Sequence, residues 1–401
     1  MGPRDLLIYQ EATMWFFNSP EVIFGEDALS YLEEIKGHRA FIVTDANVLS
    51  LGFPVDVASS LQRAGLEVKV FADIEPEPSL QTVRRGAEMM QSFAPDWVVG
   101  VGGGSVMDAA KAMWILYEHP EINPAAISPI ERIPLRRKAR LICVPTTAGT
   151  GAEVTWAMVL TDQEEGRKLG LGVRDALADI AIVDPRFTMH LPSSLTAATG
   201  MDVLTHAVEG YSSTWANDFT DGLCLQAARM VFEYLPRAVE KGASDPEARE
   251  KMANAATIAG LGFGNSMAAL AHAMGHSAGA VLHIHHGRVV GLLLPYTIEF
   301  VANQGVGRYA DLARWLELPA SNEQEAAASL ARAIRDLARR IGEPLSLQDA
   351  GVDEAVFRSH LERLCDLTEA DPTIVTSRRI PDRGELCRLF EYVYAGRPID
   401  F

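Results

Sequence analysis

Short apolar, β-branched runs recur at roughly 25–30-residue intervals through the first ~185 residues, with amphipathic stretches between them. The runs are 40–44, 68–72, 97–101, 141–145, 157–161 and 180–183, and the stretches include 55–64 and 80–93. Strand, helix, strand in this order predicts a parallel α/β sheet. Trp97-Val98-Val99-Gly100-Val101 is apolar without alternation, which suits a strand covered on both faces. After Asp184-Pro185 the strand signals nearly vanish. Helical patterns take over at 196–212, 220–241, 246–262, 267–281, 296–301, 323–340, 354–364 and 382–394. The expected fold is an α/β domain over 1–185 followed by an all-helical domain over 186–401. The cleft between two such domains is the default place for a site.

Composition narrows the class of function. The chain has 401 residues, 48% apolar and 22% charged, as a folded protein does. Its 36 basic and 53 acidic residues give −17, which argues against nucleic acid or an anionic membrane as partner. The four cysteines form no C-x-x-C pair, and this predicts reduced thiols and a cytoplasmic location. No apolar signal core follows the first residues, so no secretory signal is expected.

The strand at 97–101 runs into Gly102-Gly103-Gly104-Ser105, then Val106-Met107-Asp108-Ala109-Ala110-Lys111. Three glycines before a helix N-terminus let the backbone approach a pyrophosphate. Ser105 is also expected to cap that helix. The spacing is not G-x-G-x-x-G, and an isolated glycine turn serves equally as plain βα geometry. A second loop, Thr146-Thr147-Ala148-Gly149-Thr150-Gly151, follows the strand at 141–145. Two such loops on one sheet edge point to a nucleotide. Asp45 ends the strand at 40–44, where a carboxylate accepts from a ribose diol and repels a 2′-phosphate. That favours NAD over NADP; the plain alternative is a helix or turn cap.

Five of the ten histidines (His272, His276, His283, His285, His286) fall within fifteen residues, inside a run from Met252 to Gly287 without Asp, Glu, Lys or Arg. Asn254, Asn265, Ser266 and these histidines make that run a poor membrane span. Asp202 and His206 stand four apart on an expected helix, as do His272 and His276, so each pair shares a face. A carboxylate and several imidazoles suit Fe²⁺ or Zn²⁺. A lone histidine is more often a hydrogen-bonded core residue. Spacing alone leaves open whether a metal binds and which residues hold it.

Taken together, Gly102-Gly103-Gly104-Ser105-x-x-Asp108-x-x-Lys111, Thr146-Thr147-Ala148-Gly149-Thr150-Gly151-Ala152-Glu153, Gly200-Met201-Asp202-x-x-x-His206-Ala207-x-Glu209 and His272-x-x-x-His276…His286-Gly287 resemble the iron-containing (group III) alcohol dehydrogenases. The resemblance runs from about Pro20 to the C-terminal helix. It implies a Rossmann-like dinucleotide-binding domain, an all-helical metal-binding domain and NAD(H)-linked alcohol dehydrogenase or aldehyde reductase activity. It implies one divalent metal, Fe²⁺ or alternatively Zn²⁺, on Asp202, His206, His272 and His286. His276 matches a non-ligand histidine near the nicotinamide that relays a proton or positions the cofactor. Asp45, Gly102, Gly103, Gly104, Ser105, Asp108, Thr146, Thr147, Gly149, Thr150, Val159 and Lys168 match the cofactor side. The implied substrate is a small primary alcohol, diol or short, sometimes charged, aldehyde, and the implied assembly is a homodimer or larger homo-oligomer.

Two positions depart from the family pattern. His285 stands where the family has proline, and Glu77 where it often has a small polar residue. Glycerol dehydrogenase-like and dehydroquinate synthase-like enzymes share this architecture. The lyase needs several Lys and Arg around a phosphorylated substrate, and the helical metal region has almost none before Arg288.

Overall fold

The structure, a computed structural model, describes residues 16–164 and 167–401. The first residues, and the expectation of no signal there, lie outside them. In chain order the first part comprises β1 (Glu21–Phe24), β2 (Arg39–Val43), α1 (Ala46–Ser50), α2 (Phe53–Arg63), β3 (Glu67–Phe71) and α3 (Leu80–Phe93). Then come β4 (Trp97–Gly102), α4 (Gly104–Glu118), β5 (Arg140–Pro145), β6 (Ala157–Asp162), β7 (Arg167–Gly172) and β8 (Ile180–Val183). Six strands form one parallel sheet in the order β1-β8-β5-β4-β2-β3.

Alternation along the strands builds two covers. Phe41, Val43, Val98, Leu141 and Cys143 join the core with α3 and α4, while Ala40, Ile42, Val99, Ile142 and Val144 join the core with α2. Successive residues point to opposite faces, so an unbroken apolar run is what a doubly covered strand needs. The run at 157–161 departs from expectation: it pairs with β7 as a separate antiparallel hairpin. β1 gave no sequence signal, because Glu21-Val22-Ile23-Phe24 is a partly exposed edge strand and not a buried apolar run; β8 holds it in place. The glycine turn therefore follows the fourth strand of the chain.

Strand order fixes where a ligand fits. From β2 the chain winds outward to β3, then returns to place β4 on the other side of β2. The crevice beyond the carboxyl ends of β2 and β4 is the switch point of a doubly wound sheet. Asp45 follows β2, and Gly102–Ser105 close β4 and open α4.

The second part is helical: α5 (Ser193–Ser212), α6 (Asp218–Lys241), α7 (Pro246–Ser266), α8 (Leu270–Leu282), α9 (His286–Ala302), α10 (Tyr309–Trp315), α11 (Glu323–Arg340), α12 (Glu354–Glu369) and α13 (Arg383–Tyr394). α5 is buried on every side from Thr196 to Ser212, and α6, α7 and α9 pack around it. α9 is longer than the expected 296–301 because its Pro295 and its glycines mask the helical pattern. Gly287 is required there: a β-carbon would run into the Ala198 carbonyl of α5. α12 and α13 bring the Cys365 and Cys387 sulfurs to 2.9 Å, both as free thiols, although sequence spacing kept the cysteines apart. No helix among the described residues is long and apolar enough to cross a membrane.

Candidate active site

On the sheet side, Asp45 takes up the capping role. Its Oδ1 accepts from the Asn47 and Val48 amides at 2.8 and 2.9 Å, which starts α1 at the switch-point crevice. The expectation that Ser105 caps α4 is corrected. Gly103 is the cap residue, no side chain caps the helix, and Ser105 Oγ donates to the Pro76 carbonyl at 2.5 Å. That hydrogen bond ties the loop after β3 to the glycine turn.

The two glycine loops pack on each other. Thr146 N–H donates to the Gly102 carbonyl at 3.0 Å. A β-carbon at Gly104 would lie 2.9 Å from Thr150 Cγ2, so only glycine lets the loops approach this closely. Thr147 borders Gly103 in the same way, 3.5 Å from the position of its absent β-carbon. Asp108 faces the hairpin: Oδ2 accepts from Val159 N–H at 2.9 Å, and Oδ1 lies 3.7 Å from the buried Lys111 Nζ. Its link to a cofactor would thus run through Val159. Lys168 Nζ pairs with Glu77 Oε1 at 2.7 Å, so the departure at Glu77 meets a residue expected on the cofactor side.

The loop after β5 also docks the helical half. A β-carbon at Gly149 would lie 2.8 Å from Thr199 Cβ on α5. Glu153 Oε1 accepts from Thr257 Oγ1 of α7 at 2.7 Å, and Trp156 Nε1 donates to the Gly264 carbonyl at 3.1 Å. Thr199 lies one helical turn before Asp202, so the candidate phosphate loop packs on the helix that carries Asp202 and His206.

Asp202, His206 and Glu209 line one face of α5, and all three are buried. α8 brings His272 against them, and α9 opens with His286. The ligand atoms of Asp202, His206 and His272 all lie within 4.8 Å of one another. From Asp202 Oδ1 the distances are 3.8 Å to His206 Nε2, 3.7 Å to His272 Nε2 and 3.6 Å to His286 Nε2. Among the described residues, Asp202 Oδ1 and His272 Nε2 are buried without a hydrogen-bond partner. Two such buried polar atoms need a proton or a metal ion between them, and a carboxylate ringed by imidazoles is a donor set that fits a divalent metal.

Charge in the site agrees. Burial works against the Asp202 carboxylate, but His206 and His286 hold it well below the ordinary carboxylate range. Burial pulls His206 down to about 4, leaving a neutral imidazole as a ligand needs. Burial opposes charge on His272 too, yet the Asp202 and Glu209 carboxylates raise it to about 10.

His276 sits at the rim, half-buried, with Nδ1 2.7 Å from Asp371 Oδ2. Asp371 is fixed in turn by the Thr373 amide and hydroxyl at 2.9 and 2.6 Å on Oδ1. His276 stacks on His286 at 5.3 Å between ring centroids, and Phe263 stacks on His206 at 3.9 Å. His283 and His285 are exposed, so the crowding of five histidines divides into three at the cluster and two in solvent.

A family profile described as iron-containing alcohol dehydrogenase matches residues 19–185, and one described as Fe-containing alcohol dehydrogenase family, C-terminal, matches 196–394. The chain is 38% identical to the NADPH-dependent butanol dehydrogenase of Clostridium saccharobutylicum, over 95% of this chain and 98% of that protein. The chain belongs to the iron-containing alcohol dehydrogenase family. Among solved structures it superposes on a 1,3-propanediol oxidoreductase with a TM-score of 0.89 and 32% identity, over 95% of this chain and 100% of that one. The sulfoacetaldehyde reductase from Bifidobacterium kashiwanohense, solved with NAD+, gives 0.84 and 30%, over 95% and 99%. The chain spans about half the length of the aldehyde-alcohol dehydrogenases it matches, 46% of the one from Entamoeba histolytica. As a member of the iron-containing alcohol dehydrogenases it is an alcohol oxidoreductase.

Two residues at the site had no role from sequence. Glu209 is i+7 from Asp202 on α5, and that spacing was its signal. Asp371 meets His276 from 95 residues away, beyond the reach of any helical spacing.

Proposed function

We propose that this alcohol dehydrogenase exchanges hydride between NAD(H) and short primary alcohols or diols, or the matching aldehydes. The observation that carries the proposal is the pair of buried, partnerless polar atoms Asp202 Oδ1 and His272 Nε2 beside a doubly wound switch point. A divalent ion held by Asp202, His206, His272 and His286, Fe²⁺ or alternatively Zn²⁺, supplies Lewis acidity toward the substrate oxygen, and the nicotinamide supplies hydride exchange. Gly102, Gly103, Gly104 and Ser105 with Thr146, Thr147, Gly149 and Thr150 cradle the pyrophosphate, and Val159 and Lys168 border it. Asp45 would lie at the adenosine ribose of a bound cofactor, where its charge would disfavour a 2′-phosphate. His276, oriented through Nδ1 by Asp371, passes the substrate proton to solvent. Phe263 and the uncharged walls around it keep the site dry.

Relatives named for butanol, 1-propanol and 1,3-propanediol support short, flexible substrates. Residues 1–185 and 186–401 are taken as cofactor and metal domains. A cytoplasmic location is supported by four free thiols, and a homodimer or larger homo-oligomer by the family resemblance. Incubation of the anaerobic, Fe²⁺- or Zn²⁺-loaded protein with NAD+ and a panel of C2–C4 alcohols and diols tests this. The expected result is alcohol-dependent NADH absorbance; a metal-loaded protein that forms no NADH with any of them contradicts it.

A further inference from the structure

Glu209 carries more contacts than a buried helix carboxylate requires. Its Oε2 accepts from the Ala269 amide at 2.9 Å and lies 2.6 Å from His272 Nδ1, while Oε1 accepts from the Ala271 amide at 2.5 Å. Ala269 and Ala271 flank the first residue of α8, and no side chain of that segment caps the helix. The carboxylate of α5 thus stands in for the missing cap, where the helix dipole favours negative charge. The same oxygen that receives the Ala269 amide also faces the imidazole.

We propose that Glu209 is a positioning residue for the metal. It holds α8 against α5, and by accepting the Nδ1 proton of His272 it leaves the Nε2 lone pair aimed at the space beside Asp202. The proposal rests on the metal-site reading above. Three N–H donors converge on two oxygens, so only a group with two acceptor atoms satisfies them. A glutamine would turn its NH₂ either toward Ala271 N–H or toward both Ala269 N–H and His272 Nδ1. In the second orientation His272 takes the other tautomer, and Nε2 carries a proton instead of a free pair.

A helix cap alone would not depend on the tautomer of His272, and this separates the two roles. Chelator competition with Zn²⁺ on the full chain and on Glu209→Gln is the first measurement. The expected result is a Kd about ten- to a hundredfold weaker in the variant, with helix content by circular dichroism unchanged. A Kd within twofold of the parent overturns the proposal. The second measurement needs no variant: long-range ¹H–¹⁵N spectra of the ¹⁵N-histidine-labelled, Zn²⁺-loaded parent report which His272 nitrogen is protonated. A proton on Nδ1 supports the assignment, and a proton on Nε2 overturns it even where Glu209→Gln does not fold. A parent with no Zn²⁺ affinity overturns the metal-site reading itself, and this proposal with it.

Discussion

Asp202 Oδ1 and His272 Nε2 face each other across 3.7 Å inside the helical half, and neither has a hydrogen-bond partner among the described residues. Folding has assembled a carboxylate oxygen and an imidazole nitrogen at a position that a metal ion completes. A ligand that binds the folded state alone stabilises it, by about 4 kcal/mol at a free concentration a thousandfold above its Kd. Adding Fe²⁺ anaerobically, or Zn²⁺, to chelator-stripped protein should therefore raise the melting temperature. A scanning-calorimetry trace indifferent to both metals would contradict the site.

Asp45 caps α1 through Oδ1 just beyond the carboxyl end of β2. Asp45→Gly should raise kcat/KM for NADP relative to NAD by about tenfold or more, equivalent to about 1.4 kcal/mol. Glycine is a tolerated cap, so stability should fall by only about a few tenths of a kcal/mol. Initial rates with the two cofactors check this, and an unchanged ratio removes Asp45 from cofactor choice.

Glu77 holds Lys168 at 2.7 Å, and both side chains are partly exposed. A pair in that setting is worth about 0–1 kcal/mol. Glu77→Gln should free Lys168 for the cofactor and lower KM for NAD+ by at most about fivefold, with the melting temperature unchanged. A KM that rises would mean that Glu77 itself contacts the cofactor.

Asp371 orients His276 and is anchored by Thr373. Burial works against its charge, but the bonds from His276 and Thr373 win and hold its carboxyl below the ordinary value. A folded-state value below the unfolded one gives stability that is present above the unfolded value and lost as pH falls through the folded one. Asp371→Asn should remove that acid-side loss and cost about 1.5–3 kcal/mol at neutral pH. Its kcat should drop through misoriented His276 while metal content stays at the parental level. Melting temperatures across pH 3–7 and metal analysis together check this.

The parallel sheet was legible because β2, β4 and β5 are buried on both faces and therefore written as apolar runs. β1 was not, since its four residues draw their order from β8. The change of grammar after Asp184-Pro185 was legible, but α9 was hidden by Pro295 and by glycines that serve close packing on α5. Among site residues, Asp202, His206, His272 and His276 were visible as i, i+4 pairs. Ser105 was misread as a cap, because a serine before a helix does not reveal that the Pro76 carbonyl competes for its hydroxyl. Glu209 shares the α5 face of Asp202, but its partners, like that of Asp371, lie 60 or more residues away, a distance that no local pattern spans.

The central claim is that the cluster around Asp202 is a metal site on which turnover depends. Metal content per chain and alcohol-dependent NADH formation, measured side by side on anaerobically Fe²⁺-loaded, dialysed parent and His272→Ala, test it most directly. One metal per parent chain with turnover, and loss of both in the variant, is the predicted result. A variant that keeps stoichiometric metal and parental turnover would contradict it.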